Sequence, residues 1–149
     1  MEKHIWDQIV SDGPYAGELD WYAIDSNGYI AMFAAIMYAP IPEQVLMSYQ
    51  TYVELSNLFK SLPKSTSFIL TTPEKGDHSD WITYVEKGLF VYDFYDIHRR
   101  VAKNQYDLIA QPVVPLNYRN IDIPEYLFSA LVKLECDFNS GDIPIEIIK

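Results

Sequence analysis

Cysteine is nearly absent from this chain of 149 residues: Cys136 stands alone, so no internal disulfide can form. With no Asn-x-Ser/Thr sequon and no basic start followed by a long apolar run, the expected home is a reducing cytoplasm. Histidine is scarce as well. His4, His78 and His98 are scattered, whereas a zinc site needs three or four ligands at ordered spacing. Asp77, His78 and Asp80 resemble a fragment of such a cluster but read as a solvated loop. The six glycines form no phosphate-cradling loop, and neither a Gly-x-Ser-x-Gly elbow nor a His-Glu-x-x-His motif occurs. The longest apolar run, Tyr29 to Ala39, stops at Pro40 and is too short to span a bilayer. Positive charge is also in short supply, with 11 Lys and Arg against 21 Asp and Glu, a net charge of −10. Such a surface repels nucleic acid and anionic membrane. The expectation is a protein without catalytic residues, metal or cofactor, binding neither nucleic acid nor membrane.

What is present is an abundance of aromatic side chains: 12 Tyr, 7 Phe and 3 Trp within an apolar fraction of 49%. That composition belongs to a folded domain, and the length suits one domain over residues 1–149. The organising stretch is Asp20 to Tyr38. Asn27-Gly28 suggests a two-residue type I′ turn, because both residues tolerate positive φ. Around it, Asp20–Asp25 and Tyr29–Phe33 are rich in aromatic and β-branched residues without clean alternation. This predicts a central hairpin buried on both faces. Asp25, Ser26 and Asn27 resemble the start of a calcium loop, but Gly28 comes too early and no Glu follows at the required distance. An Asx turn is the expected local structure.

Periodicity places a first helix over residues 4–10 and the longest helix from Pro42 to Leu62. Its stripe is Val45, Tyr49, Tyr52, Leu55, Phe59 and Leu62. A short helix is predicted from Asp80 to Lys87, capped by Ser79 and ended by Gly88. Another spans about Asp122 to Leu131. Strands are expected at Leu89–Phe94, Tyr106–Ala110 and Val132–Phe138, and residues 66–72 read as a short strand or the start of an irregular segment. An edge strand at Ile143–Ile148 is broken by Pro144. The fold class is α+β: a single domain with a largely antiparallel sheet built around a central β-hairpin, packed against one long and two or three short helices. Cys136 falls in a strand-like run and reads as a small buried hydrophobe.

Several segments taken together resemble small bacterial immunity proteins encoded beside polymorphic or contact-dependent toxins. They are Asp20–Ala31 (DWYAIDSNGYIA), Lys87–Asp93 (KGLFVYD), and Tyr106–Ala110 (YDLIA) with Pro112, Pro115 and Leu116. These motifs are structural, so the resemblance transfers no functional residue. It implies a non-catalytic protein that occupies a basic partner such as a toxin domain. Charge is consistent with this, because acidity speeds encounter with a basic surface. Residues 1–59 carry eight acids and one Lys, residues 60–105 six acids and seven bases, and residues 106–149 seven acids and three bases. The excess in the first third points to Glu18, Asp20, Asp25, Glu43 and Glu54 as partner-binding residues. Alternatives are a small-molecule binding module with an aromatic pocket of Trp21, Tyr22, Trp81 and Tyr92, a homo-oligomeric domain, and a cofactor-free enzyme using Asp93 or His98.

Overall fold

The computed structural model describes residues 1–13, 17–35, 39–71, 79–94 and 104–148. Asp77 and His78 of the loop cluster, and His98, lie outside them. Three α-helices, α1 (Lys3–Asp12), α2 (Tyr49–Ser61) and α3 (Ser79–Val85), accompany seven strands. The strands are β1 (Leu19–Ile24), β2 (Ile30–Ala35), β3 (Phe68–Leu70), β4 (Phe90–Asp93), β5 (Gln105–Pro112), β6 (Val132–Lys133) and β7 (Ile143–Pro144).

Among the described residues these strands form one mixed sheet in the order β3-β5-β4-β2-β1-β6, with β7 also pairing with β5. The pairs β1–β2, β3–β5, β4–β5 and β5–β7 are antiparallel, and β2–β4 and β1–β6 are parallel. The domain is α+β, as its sequence indicates, with the β1–β2 hairpin in the interior of the sheet.

Alternation along the hairpin divides the core in two. Trp21, Ala23, Ala31 and Phe33 face one side, with Trp6 and Ile9 of α1, Tyr52 and Phe138. Tyr22, Ile24, Ile30 and Met32 face the other, with Leu55 and Phe59 of α2, Tyr84 and Val85 of α3, and Leu127. On the first face Trp21, Phe33 and Tyr92 stack across β1, β2 and β4. Their ring centroids are 4.2 Å and 4.8 Å apart and their planes nearly parallel. Tyr106 meets Phe33 edge-on at 5.1 Å, accepts a hydrogen bond from Trp21 Nε1 at 3.2 Å and donates to the Pro40 carbonyl at 2.9 Å. Such aromatic pairs contribute about 0.5–1.5 kcal/mol each beyond their buried area.

The hairpin turn differs from the two-residue form expected. Gly28 N–H donates to Asp25 O at 3.0 Å, Asp25 N–H donates to Tyr29 O at 3.0 Å, and Gly28 sits at φ 86°. This is a longer loop in which the glycine forms a left-handed bulge. The selecting group is the Asp25 carboxylate. Its Oδ1 accepts from the Asn27 and Tyr29 N–H groups, both at 2.9 Å, and its Oδ2 accepts from Phe138 N–H at 3.0 Å.

Other elements are shorter than periodicity suggests. The single helix expected over Pro42–Leu62 is a 3-10 turn, Glu43–Leu46, followed by α2. Ser48, at φ −149°, interrupts it and caps α2 by accepting from Thr51 N–H at 3.2 Å. The helix expected over Asp122–Leu131 is a 3-10 segment, Glu125–Ser129, after Pro124. The strand expected over Val132–Phe138 keeps ladder pairing only at Val132 and Lys133. Beyond them the chain follows the hairpin end through Leu134 N–H to Ile24 O and Ser26 N–H to Cys136 O, both at 2.9 Å. Cys136 is therefore half-buried in an irregular segment, with its thiol pushed up to about 11 by burial and then by the nearby Asp25 and Asp137. The edge strand at Ile143–Ile148 is reduced to β7, and a 3-10 turn over Ile145–Ile147 follows Pro144.

The Asp25→Ala variant is expected to lose about 3 kcal/mol of unfolding free energy in urea titration, because three backbone N–H groups would be left without their acceptor. A loss below about 1 kcal/mol would mean that the turn holds its shape without the carboxylate.

Candidate functional site

The site grows from one anomaly in β1. Residues 20, 22 and 24 share a face, and Tyr22 and Ile24 are core on that face, yet the third residue is Asp20. Its neighbour strand β2 contributes Met32 and Ala34, α2 brings Lys60 from its last turn, and α3 brings Asp80, Trp81, Thr83 and Tyr84. Together with Glu18 they line an open cavity of about 550 Å³. A second cavity of about 250 Å³ lies alongside, lined by Met1, Ile5, Glu18, Asp20, Tyr52, Ser56 and Lys60. Glu18, Asp20 and Lys60 belong to both.

The local sequence explains how the walls are held. Strand β6 pairs only with Ala23 and Ile24, so among the described residues the start of β1 has no strand along that edge. The Tyr52 phenol lies near the Asp20 backbone there. On the other wall, α3 ends where Gly88 takes φ 97°, and a Cβ at that position would lie 2.8 Å from Leu116 Cβ. Just before it, the buried Lys87 reaches across to donate to the Lys60 carbonyl at the end of α2. This bond fastens the two helices whose ends flank the cavity.

Between the cavities runs a line of buried hydroxyls. Ser56 Oγ lies 3.1 Å from Tyr22 Oη, which lies 3.1 Å from Tyr84 Oη. Ser56 opens onto the smaller cavity and Tyr84 onto the larger. Burial raises the Tyr22, Tyr52 and Tyr84 phenols, Tyr84 to about 12, so all three stay neutral donors and acceptors at physiological pH.

Asp20 is half-buried, with its carboxyl withdrawn from water. Desolvation lifts its pKa to about 6; Lys60 and the N-terminal amine pull it down, and Glu18 and Asp80 push it up. Among the described residues its carboxylate makes no hydrogen bond and no ion pair. No His or Cys among the described residues lines either cavity. No group of three or more His, Cys, Asp or Glu among them is placed to hold a metal ion. What the arrangement offers is a titrating carboxyl on the floor of an anionic, partly apolar cavity, ringed by neutral hydroxyls.

Of the five acids singled out by charge density, the structure brings two together. Glu18 is exposed on the cavity rim, and Asp20 is on its floor. Asp25 sits 5% exposed beyond the far end of β1, with both oxygens engaged by backbone N–H groups, so it belongs to the fold and presents no free charge. Glu43 is exposed in the first turn of the 3-10 segment. Glu54, on α2, accepts hydrogen bonds from Tyr126 and from Gln50, and these lower its pKa. The aromatic pocket proposed from sequence does not form. Trp21 and Tyr92 pack on one face of the sheet, Tyr22 and Trp81 on the other, and only Trp81 lines the larger cavity. Asp93 ends β4 half-buried, paired with Ala34 and Asp107 in the ladders and outside both cavities.

The cavity residues that no sequence motif marks are Lys60, Asp80 and Tyr84. The parity of Asp20 with Tyr22 and Ile24, an acid on a core face, is the mark by which the site was detectable.

Folding raises the Asp20 pKa, so the native state binds more protons than the unfolded chain between about pH 4 and about pH 6. Stability therefore falls as pH rises through that window, and the ionised carboxyl weighs against the fold at neutral pH. Asp20→Asn is expected to be more stable than the parent by about 2 kcal/mol at about pH 7.5, the gain vanishing by about pH 4. Urea titrations of both proteins across this range check it; an Asn variant less stable at every pH would overturn the account. No known family, curated protein or solved structure matches the chain, so the site is read from its own residues.

Proposed function

We propose that this chain is a non-catalytic acidic binding protein that occupies a basic protein partner, a bacterial toxin domain being the most specific version. The observation that carries the reading is how little of the acidity is neutralised internally. Among the described residues the ion pairs are Lys3–Asp7, His4–Glu2 and Lys64–Glu86. Glu18, Glu43 and Asp80 are exposed and have no such partner among the described residues. Glu18 and Asp80 flank one cavity with Asp20 below them and Lys60 as its only cationic side chain among the described residues. A patch of one sign with low-dielectric walls concentrates field and steers an oppositely charged partner. No helix among the described residues is long and apolar enough to cross a membrane.

A second reading, a small-molecule binding module, draws support from the same cavity, whose volume falls in the range that ligand sites occupy.

The test is capture on the immobilised chain from lysate of its source cell at about 50 and about 500 mM salt. The expected result is one basic protein retained at low salt and released at high salt. With that partner purified, Glu18→Lys combined with Asp80→Lys is expected to slow association about tenfold at low salt. Retention of no basic protein, or an unchanged association rate in the double variant, would overturn the reading.

A further inference from the structure

We propose that the cavity at Asp20 is a binding site for a protonated primary amine carried on an aliphatic body, with Asp20 as the counter-ion. The inference starts from the carboxylate. A charge withdrawn from water is ordinarily paired or hydrogen-bonded. Asp25, at the far end of the same strand, follows that rule with three N–H donors. Among the described residues Asp20 has no donor at all, and it lies on the floor of a cavity large enough for a guest. The sheet thus holds an acceptor without a donor among the described residues.

The surroundings select the partner's chemistry. Glu18 and Asp80 add negative potential, and among the described residues one cationic side chain, Lys60, lines the cavity outside ion-pairing distance of them. A hard metal ion would require six or more oxygen ligands. Here the described residues gather no metal-binding group. An ammonium needs less: its three donors are met by a carboxylate and by neutral hydroxyls. The Tyr84 hydroxyl lines the cavity beside Asp20, and the Tyr22 hydroxyl behind it passes polarisation on to Ser56. Met32, Ala34 and Trp81 give the cavity an apolar wall against which methylene groups would lie, and an indole face also favours a cation. The same ammonium chemistry is carried by a lysine side chain of a protein partner and by a free alkylamine.

The groups that set the pH response are those facing Asp20 from each packed element: Glu18 just ahead of its strand, Lys60 from α2, Asp80 and Tyr84 from α3, Tyr52 across the open edge, and the N-terminal amine. Asp20 titrates near 6, so binding is strongest where it is ionised and weakens as it takes up its proton.

The experiment is calorimetric titration of the full chain with cadaverine and with Nα-acetyl-lysine methylamide, and with pentanediol as the uncharged isostere. It is run at about pH 7.5 and about pH 5. Saturable binding of either amine at the higher pH is expected, about tenfold weaker at the lower pH and absent for the diol. Binding of cadaverine alone assigns a free amine, and binding of the lysine amide assigns a protein side chain. Asp20→Asn is expected to abolish the signal, and Asp80→Asn to weaken it several-fold, with thermal melts confirming that both variants fold. Failure of both amines to bind, equal binding of the diol, or undiminished binding by Asp20→Asn would overturn the proposal. Because these titrations use no protein partner, their failure leaves the basic-partner reading to its own test. Capture failing while amines bind would instead remove that reading and leave the amine site.

Discussion

The Asp25 carboxylate is the interaction on which the rest of the structure depends. It sets the loop between β1 and β2 through Asn27 and Tyr29, and it fixes the C-terminal segment through Phe138. Phe138 is fully buried against Phe33, Phe90 and Tyr92, so one carboxylate joins the hairpin turn to the aromatic layer of the first face. Tyr92 completes the connection by donating to the Phe138 and Gly141 carbonyls at 3.2 and 3.0 Å. A buried acid in this position costs desolvation, and three charge-assisted bonds from rigid backbone offset it. Register follows: a one-residue slip would turn every hairpin side chain to the opposite face.

With the register set, burial on both faces leaves little choice about where polar groups can lie. Trp21 and Phe33 must fill one side and Tyr22 and Met32 the other. The polar tip of each large residue then needs a partner inside the protein, which is why Trp21 meets Tyr106 and Tyr22 meets Ser56 and Tyr84. The cavity forms where this rule runs out. Toward residue 19 the strand β6 no longer covers β1, and the last turn of α2, with Lys60, borders the space beside α3. Helix ends cannot close-pack a sheet as helix flanks do, because the last turn presents carbonyls and charged side chains such as Lys60.

Much of this was legible in the sequence for a plain reason. Aromatic and β-branched residues on both sides of Asn27-Gly28, without alternation, can be buried only in the interior of a sheet, and Gly88 after a short apolar stripe marks a helix end. What failed was boundary and detail. Apolar spacing runs on from Val45 through Tyr49 and Tyr52, so periodicity could not reveal the break at Met47-Ser48, although Ser48 is a good N-cap. The type I′ expectation rested on Asn27-Gly28 as a pair. The Asp25 side chain, competing for the same N–H groups, selected the longer loop. The aromatic pocket failed on parity, since Trp21 and Tyr22 are consecutive in a strand and cannot face the same space. The cavity needs contacts from residues 18 to 84, and no local pattern encodes which helix end arrives beside which strand.

Two aspartates five positions apart on one hairpin therefore pose opposite problems. Asp25 is an acid that the fold requires, and its surroundings are complete. Asp20 has no such donors among the described residues: its strand neighbours are apolar, and its carboxyl raises the energy of the native state when ionised. An Asn or Thr there would keep the strand and remove that cost. A charge that stability alone would discard is most economically explained by what it meets from outside. On the proposed reading, Glu18 and Asp80 at the same cavity would draw a basic group toward Asp20, which would be its counter-ion.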